Sequence, residues 1–325
     1  MEVDGRCLTN GWSIVAAAPT NSQLAGVLAG FVFTAMIILF ARSGPANTKT
    51  LGLFSASFVV LAFDSYLFSF IAGGSSDPLC RRVWTESMAA RGMLAVGATA
   101  LISGIAWLLA NYTQAENLSA QTTEHPGARA VNLQKLAQFI VLGVAAGVCL
   151  ILGMTTLNFM YVALGRRPPA HWVLLAYAIP LAVVTMAAIL NRTRTVRLQK
   201  NSEADSNAWP TKSLSVAVFG TASYGIVGPV FVGAIVNIGD APFAAPSWIL
   251  TTCAISIGFL TPIILIVLLV YAVPRTPPPS RRIGAQSSGK TTSTPSPSDN
   301  AQDLPHSALP GTVAIPLPAA PSPPD

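Results

Sequence analysis

The chain is short of charge. Asp, Glu, Lys and Arg make up only 10% of it, against about a quarter of an ordinary soluble domain. A soluble helical fold needs a polar face on each helix, and 52% apolar content does not leave enough polar residues to supply one throughout. Histidine is scarcer still: His125, His171 and His306 fall in polar connections or near the C-terminus, which argues against paired-histidine haem ligation inside an apolar core. There are four cysteines and no CxxC pair, so neither a zinc ribbon nor a redox dithiol is supported. No HExxH, GxGxxG or GxSxG occurs, no phosphate-binding loop is expected anywhere in the chain, and no pair of acids sits mid-run as an intramembrane protease would need. A non-enzymatic protein with no cofactor and no metal site is the expectation.

What is present is long apolar runs, and the mean hydropathy is +0.55. A helix needs about 20 mainly apolar residues to cross the hydrocarbon core of a bilayer. Seven stretches qualify: 24–41, 51–73, 88–110, 137–164, 172–190, 214–238 and 248–273. Gly and Pro interrupt several of them, which bilayer helices tolerate. The runs are continuous rather than alternating, so strands of a membrane barrel are not expected. The reading is an all-α, polytopic integral membrane protein, a bundle of about seven transmembrane helices in partnership with a lipid bilayer. Residues 1–23 form a short extracytoplasmic segment, 24–273 the transmembrane domain, and 274–325 a tail. The segment before the first run (MEVDGRCLTNGW) carries two acids and one Arg, unlike the basic start of a cleaved signal peptide.

The net charge of +6 raises nucleic acid as a partner, but the basic residues gather at the ends of apolar runs rather than in a stripe, so nucleic-acid binding is not expected. With the N-terminus outside, thirteen of the nineteen Lys and Arg residues fall on the cytoplasmic side, as the positive-inside bias requires. The expected location is the cell membrane, with the N-terminus outside and the C-terminus in the cytoplasm. Trp12, Trp84, Trp107, Tyr112, Tyr161, Trp172, Trp248 and Tyr271 fall near run ends, at the depth amphipathic rings prefer. The cluster from Arg192 to Lys200, with Arg275, Arg281 and Arg282, would face anionic lipid.

Residues 274–325 hold 13 of the 25 prolines. Such a Pro/Ser-rich segment cannot bury enough surface to offset its ordering entropy, so a disordered tail with polyproline II character is expected. Its PRTPPP and PLPAAPSPP stretches offer docking to a proline-reading protein partner.

Cys149 and Cys253 lie inside apolar runs and read as small buried hydrophobes. Cys7 and Cys80 both fall on the outer side, where an oxidising compartment lets them pair. A Cys7–Cys80 disulfide would close a loop of about 70 residues and contribute several kcal/mol in the chain-entropy account.

An ionisable side chain inside hydrocarbon is costly and needs a reason. Asp64 (LAFDSYLFSF) and Arg91 lie about 13 Å and about 10 Å below the outer surface on consecutive antiparallel runs, at 1.5 Å per residue. A structural ion pair between them is the expectation, since an Arg fork matches a carboxylate. Ser57 shares the Asp64 face and Glu86 lies just above Arg91. Asn158, Tyr177, Asn237 and Thr251 fall in the same outer half and could line a pocket with them, or form separate interhelical hydrogen bonds. Gly26–Gly30, Ala100–Gly104 and Gly143–Gly147 have the spacing for close helix approach, and Pro180, Pro229 and Pro262 are expected to kink their helices. Two functions follow: a non-enzymatic scaffold or sensor signalling to the tail, or a small transporter using the Asp64 and Arg91 region.

Overall fold

The computed structural model describes residues 8–9, 12–41, 47–73, 80–119, 127–165, 169–200, 208–238, 243 and 247–273. The chain divides into two units, Met1–Ser280 and Arg281–Asp325, and every described residue belongs to the first. The C-terminal tail lies outside the described residues, as does Cys7.

Seven long helices follow in order: α1 Ile14–Ala41, α2 Asn47–Gly73, α3 Cys80–Ser119, α4 Gly127–Leu164, α5 Ala170–Lys200, α6 Ala208–Ile238 and α7 Trp248–Ala272. Each contains a stretch long and apolar enough to cross a membrane, and together they form an all-α membrane bundle. Two two-residue strands, Leu8–Thr9 (β1) and Trp12–Ser13 (β2), pair antiparallel ahead of α1, although no strand is expected from the sequence.

Most helices outrun the apolar stretches that mark them. The first begins at Ile14 rather than at residue 24, with the Ser13 hydroxyl accepting from the Ala16 amide at 3.3 Å, a helix N-cap. It carries Pro19 within it. The longest, α3, has 40 residues, about 60 Å at 1.5 Å per residue. An apolar run reports only the part of a helix that sits in hydrocarbon; the backbone hydrogen bonds continue past it wherever the residues favour helix.

The bundle buries a set of polar residues in its apolar core and exposes many large apolar side chains on its outside. Asp64, Ser57, Thr85, Glu86, Ser87, Thr99, Ser103, Thr155, Thr156 and Thr221 are buried, while Trp248, Phe219 and Phe139 are 78%, 75% and 74% exposed. That inversion suits a lipid surround and would be costly in water. The third helix is central and touches α1, α2, α4, α6 and α7. Close crossings form where glycine permits them. A Cβ on Gly258 would stand 2.7 Å from the Met88 carbonyl oxygen, and one on Gly104 would stand 3.0 Å from the Phe54 ring. The expected small-residue spacings divide: Gly26 abuts Ser65 and Gly104 abuts Phe54, whereas Gly30, Gly143 and Gly147 have open space around them.

In α7 the ladder widens to a π segment at Ser256–Leu260. Pro262 stands two residues beyond its end; it has no amide to donate to the Gly258 carbonyl four residues back, and its ring crowds that position. The Thr261 hydroxyl donates to the Ser256 carbonyl at 2.9 Å.

Candidate functional site: a buried polar junction

The face of α2 that enters the bundle carries Ser57, Val60, Leu61, Asp64, Leu67, Phe68 and Ile71, all buried, at the three- and four-residue spacing of one helix side. The Ser57 hydroxyl donates to the Gly97 carbonyl on α3 at 2.9 Å. That bond, with Leu61 closed against Gly97, sets the register of α2 on α3 and carries Asp64 alongside Ala90 and Met93. Asp64 is fully buried, and neither carboxyl oxygen has a hydrogen-bond partner among the described residues. The packing around it is apolar, with Val60, Phe68, Ala90, Met93 and Tyr224 in one cluster.

Tyr224 on α6 belongs to this same buried cluster. Its hydroxyl donates to the Ile257 carbonyl, inside the π segment, at 2.8 Å. It also lies against Gly92 on α3, where Pro262 and the Gly258 carbonyl crowd the same spot. Three helices thus meet at one point: α6 brings the phenol, α3 a glycine that admits it, and α7 a carbonyl of its irregular turn; the α2 face that carries Asp64 packs into the same cluster through Val60, Leu67 and Phe68. π turns recur at functional sites because they free backbone groups for such contacts.

The other residues singled out in the sequence do not join this junction. Arg91 donates from Nη1 to the Thr155 hydroxyl on α4 at 2.9 Å, and no ion pair joins it to Asp64 among the described residues. The cause is rotation, not depth. Ala90, Met93 and Gly97 face α2 and α6, while Trp84, Met88, Arg91 and Ala95 form the next stripe round the helix, against α4 and α7. Glu86 pairs with Arg82 one turn away at 3.1 Å. Asn158 is half-buried on α4, and the Tyr177 ring of α5 packs on Gly153 of α4. Asn237 is exposed and donates to the Gly233 carbonyl of its own helix at 2.8 Å; Thr251 likewise donates to the Ser247 carbonyl. These residues bond within or between single helix pairs rather than lining one pocket.

Sequence reasoning missed Tyr224, Gly92 and Gly258. The GFLTP string, a glycine four residues before a proline inside an apolar run, was the available signal for the irregular turn. It also missed a serine set: Ser22 donates to the Ser65 carbonyl at 2.9 Å, Ser65 returns the bond to the Ser22 carbonyl at 3.0 Å, and Ser22 and Ser69 share a 2.7 Å contact. These reciprocal bonds lock α1 to α2. The string GAQSSGKT at 284–291 has the spacing of a phosphate-binding loop; it follows PPPSRRI rather than an apolar strand, which is the wrong context for that motif, and it lies outside the described residues.

Cys80 is disulfide-bonded, and Cys149 and Cys253 are free. Among the described residues no group of three or more His, Cys, Asp or Glu could hold a metal ion.

Fold and junction together define a seven-span α-helical membrane protein with a fully buried carboxyl group inside its bundle. Neither a protein-family model, nor a curated protein, nor a solved structure matches the chain.

Proposed function

We propose that the protein is a non-enzymatic membrane sensor whose helix packing responds to the occupancy of the Asp64 carboxyl by a proton or a small cation. The observation that carries this reading is the carboxyl itself, fully buried and without a hydrogen-bond partner among the described residues. A charge left so would cost several kcal/mol. A structural role is better served by a partnered acid, as the Arg82–Glu86 pair is. The neighbour Tyr224 holds the one irregular turn described in the bundle, so a change at Asp64 has a short route to α7 and to the tail that follows it.

In this reading the protein sits in the cell membrane with its N-terminus outside, Cys7 is the partner of Cys80, and the Pro-rich tail carries the signal to a proline-reading protein in the cytoplasm. Transport through the outer half, with an unpaired Asp64 exchanging a proton or cation, is the alternative; the flux measurement below separates it from the sensor reading.

Hydrogen exchange of α7 tests the proposal, measured across a pH series and a sodium series on the wild type and on Asp64→Asn. Exchange in the π segment of the wild type shifts with one of the two variables, and the variant is locked near one end of that range. Identical exchange in both proteins throughout would remove the sensor reading. A saturable solute flux in proteoliposomes, abolished by Asp64→Asn, would replace it with transport.

A further inference from the structure

The buried polar side-chain atoms left without a hydrogen-bond partner among the described residues are not scattered. They are the two Asp64 carboxyl oxygens, the hydroxyls of Ser103 and Thr221, and the indole nitrogens of Trp84 and Trp107. Trp84 lies near the start of α3, in the cluster with Met88 and Phe259. The rest follow one seam, where α3 packs on α2 and α6. Met93 of α3 meets Gly228 of α6, and Trp107 of α3 shares a cluster with Leu214 of α6. Halfway along this antiparallel register, Thr221 stands level with Ala100, one turn from Ser103 on the side of α3 that carries Trp107. On the other flank Val60 of α2 meets Gly225 and Gly52 meets Val218, which puts Ser57 nearly level with Thr221. The Ser57 hydroxyl is held at Gly97, and Asn111 donates to the Thr50 hydroxyl at 3.3 Å.

Counted along α3, a polar group thus recurs turn by turn: Ser57 at Gly97, Thr221 at Ala100, then Ser103, Trp107 and Asn111. Successive levels are about 4.5–6 Å apart at 1.5 Å per residue. That is too far for a direct bond and suits one bridging water; unpartnered buried hydroxyls and indoles are the groups that internal waters satisfy. Toward Asp64, the Tyr224 hydroxyl, one turn from Thr221 on α6, reaches Gly92. In the other direction the Asp64 face of α2 continues as Leu67, Phe68 and Ile71, packed with Ala90 and Val232. The way from Asp64 is therefore polar toward Trp107 and apolar toward the Cys80 end.

We infer that this seam is a hydrated proton path, through which Asp64 exchanges its proton with the compartment at the Trp107 end of the bundle. The inference rests on the sensor reading of Asp64 and adds the ligand, a proton, and the side it comes from, which the proposed orientation makes the cytoplasm. Ser and Thr hydroxyls both donate and accept, so they pass a proton on; an indole only donates, so Trp107 holds a water by its oxygen. A proton entering near Asn111 and Thr50 is handed along hydroxyls and waters, and the last water gives one to the carboxylate. The same steps in reverse restore the charge. Among the titratable groups of the surrounding helices, α6 presents Tyr224 to this cluster, while Arg91 of α3 turns to Thr155 and Arg82 to Glu86. The first helix has no charged residue, and Cys253 of α7 is exposed.

Infrared difference spectroscopy of the full chain in detergent after a rapid pH jump tests this, with the Asp64 carboxyl band assigned by its loss in Asp64→Asn. Thr221→Val and Ser103→Ala nearly keep the shape of the seam while deleting a relay. Each slows protonation of Asp64 about tenfold, the weight of one hydrogen bond in a barrier, and leaves the band at each final pH unchanged. Ser22→Ala, in the serine set between α1 and α2 and off the seam, keeps the wild-type rate. A band that titrates at one rate in the wild type and both seam variants overturns the path and leaves the sensor reading standing. So does a slowing in Ser22→Ala equal to theirs. A carboxyl band that never titrates in the wild type overturns the sensor reading and the path together.

Discussion

Single atoms decide the tightest crossings in this bundle. A methyl on Gly258 would meet the Met88 carbonyl at 2.7 Å, and one on Gly92 would meet the Tyr224 hydroxyl well inside contact distance. A backbone carbonyl cannot swing aside as a flexible side chain can. Gly258→Ala should therefore lower stability by about 1–3 kcal/mol, the usual range for overpacking, seen as a fall in the thermal midpoint in detergent. Gly143→Ala is the control: it meets open space and should be neutral or stabilising by about 0.5–1 kcal/mol, because alanine is the better helix former. Equal losses in both variants would show that backbone approach is not what glycine supplies here. At this scale the sequence was only partly readable. Asp64 stood out because an acid in a long apolar run is conspicuous on composition alone. Gly92 and Gly258 did not, because a chain with 25 glycines marks no two of them as special until the helices are placed.

The helices themselves were legible from their apolar runs, but not their rotation. A soluble helix announces its buried side by a polar opposite face; a helix that is apolar all round, packed on one side by protein and on the other by lipid, carries no such signal. Depth could be counted and azimuth could not, which is why Asp64 and Arg91 were expected to pair and instead face α6 and α4. The same gap hid Tyr224, whose value lies in the element it meets. Its hydroxyl supplies the Ile257 carbonyl with a donor inside the π segment of α7. Tyr224→Phe removes that donor while keeping the ring. The cost should be near the average for a hydrogen bond between membrane helices, about 0.6 kcal/mol, and rise toward about 1–3 kcal/mol if the carbonyl stays unsatisfied. Amide exchange at Ser256–Leu260 should accelerate while α5 is unaffected. Faster exchange spread evenly over all seven helices would mean general loosening, not release of one turn.

For the whole molecule, the proposed orientation puts the Cys80 end outside, and two features support it. Counted along the alternating apolar runs of the sequence, thirteen of the nineteen basic residues fall to one side, the side that the positive-inside bias would make cytoplasmic. The disulfide-bonded Cys80 opens α3 at the other end, where Arg81 also donates to the Val162 carbonyl at the close of α4 and to the Phe243 carbonyl before α7. A disulfide persists in an oxidising compartment and is rare in a reducing one, which is the support for proposing that end outside. Two exposed positions separate the ends: Ala170 at the start of α5, beside the Cys80 end, and Thr48 at the start of α2, opposite. In a Cys253→Ala background, which removes the exposed free thiol, a membrane-impermeant maleimide should label Ala170→Cys in intact cells. It should label Thr48→Cys only after the membrane is opened. Labelling in the reverse order would invert the bundle and put the disulfide in a reducing compartment, which would overturn the proposed orientation.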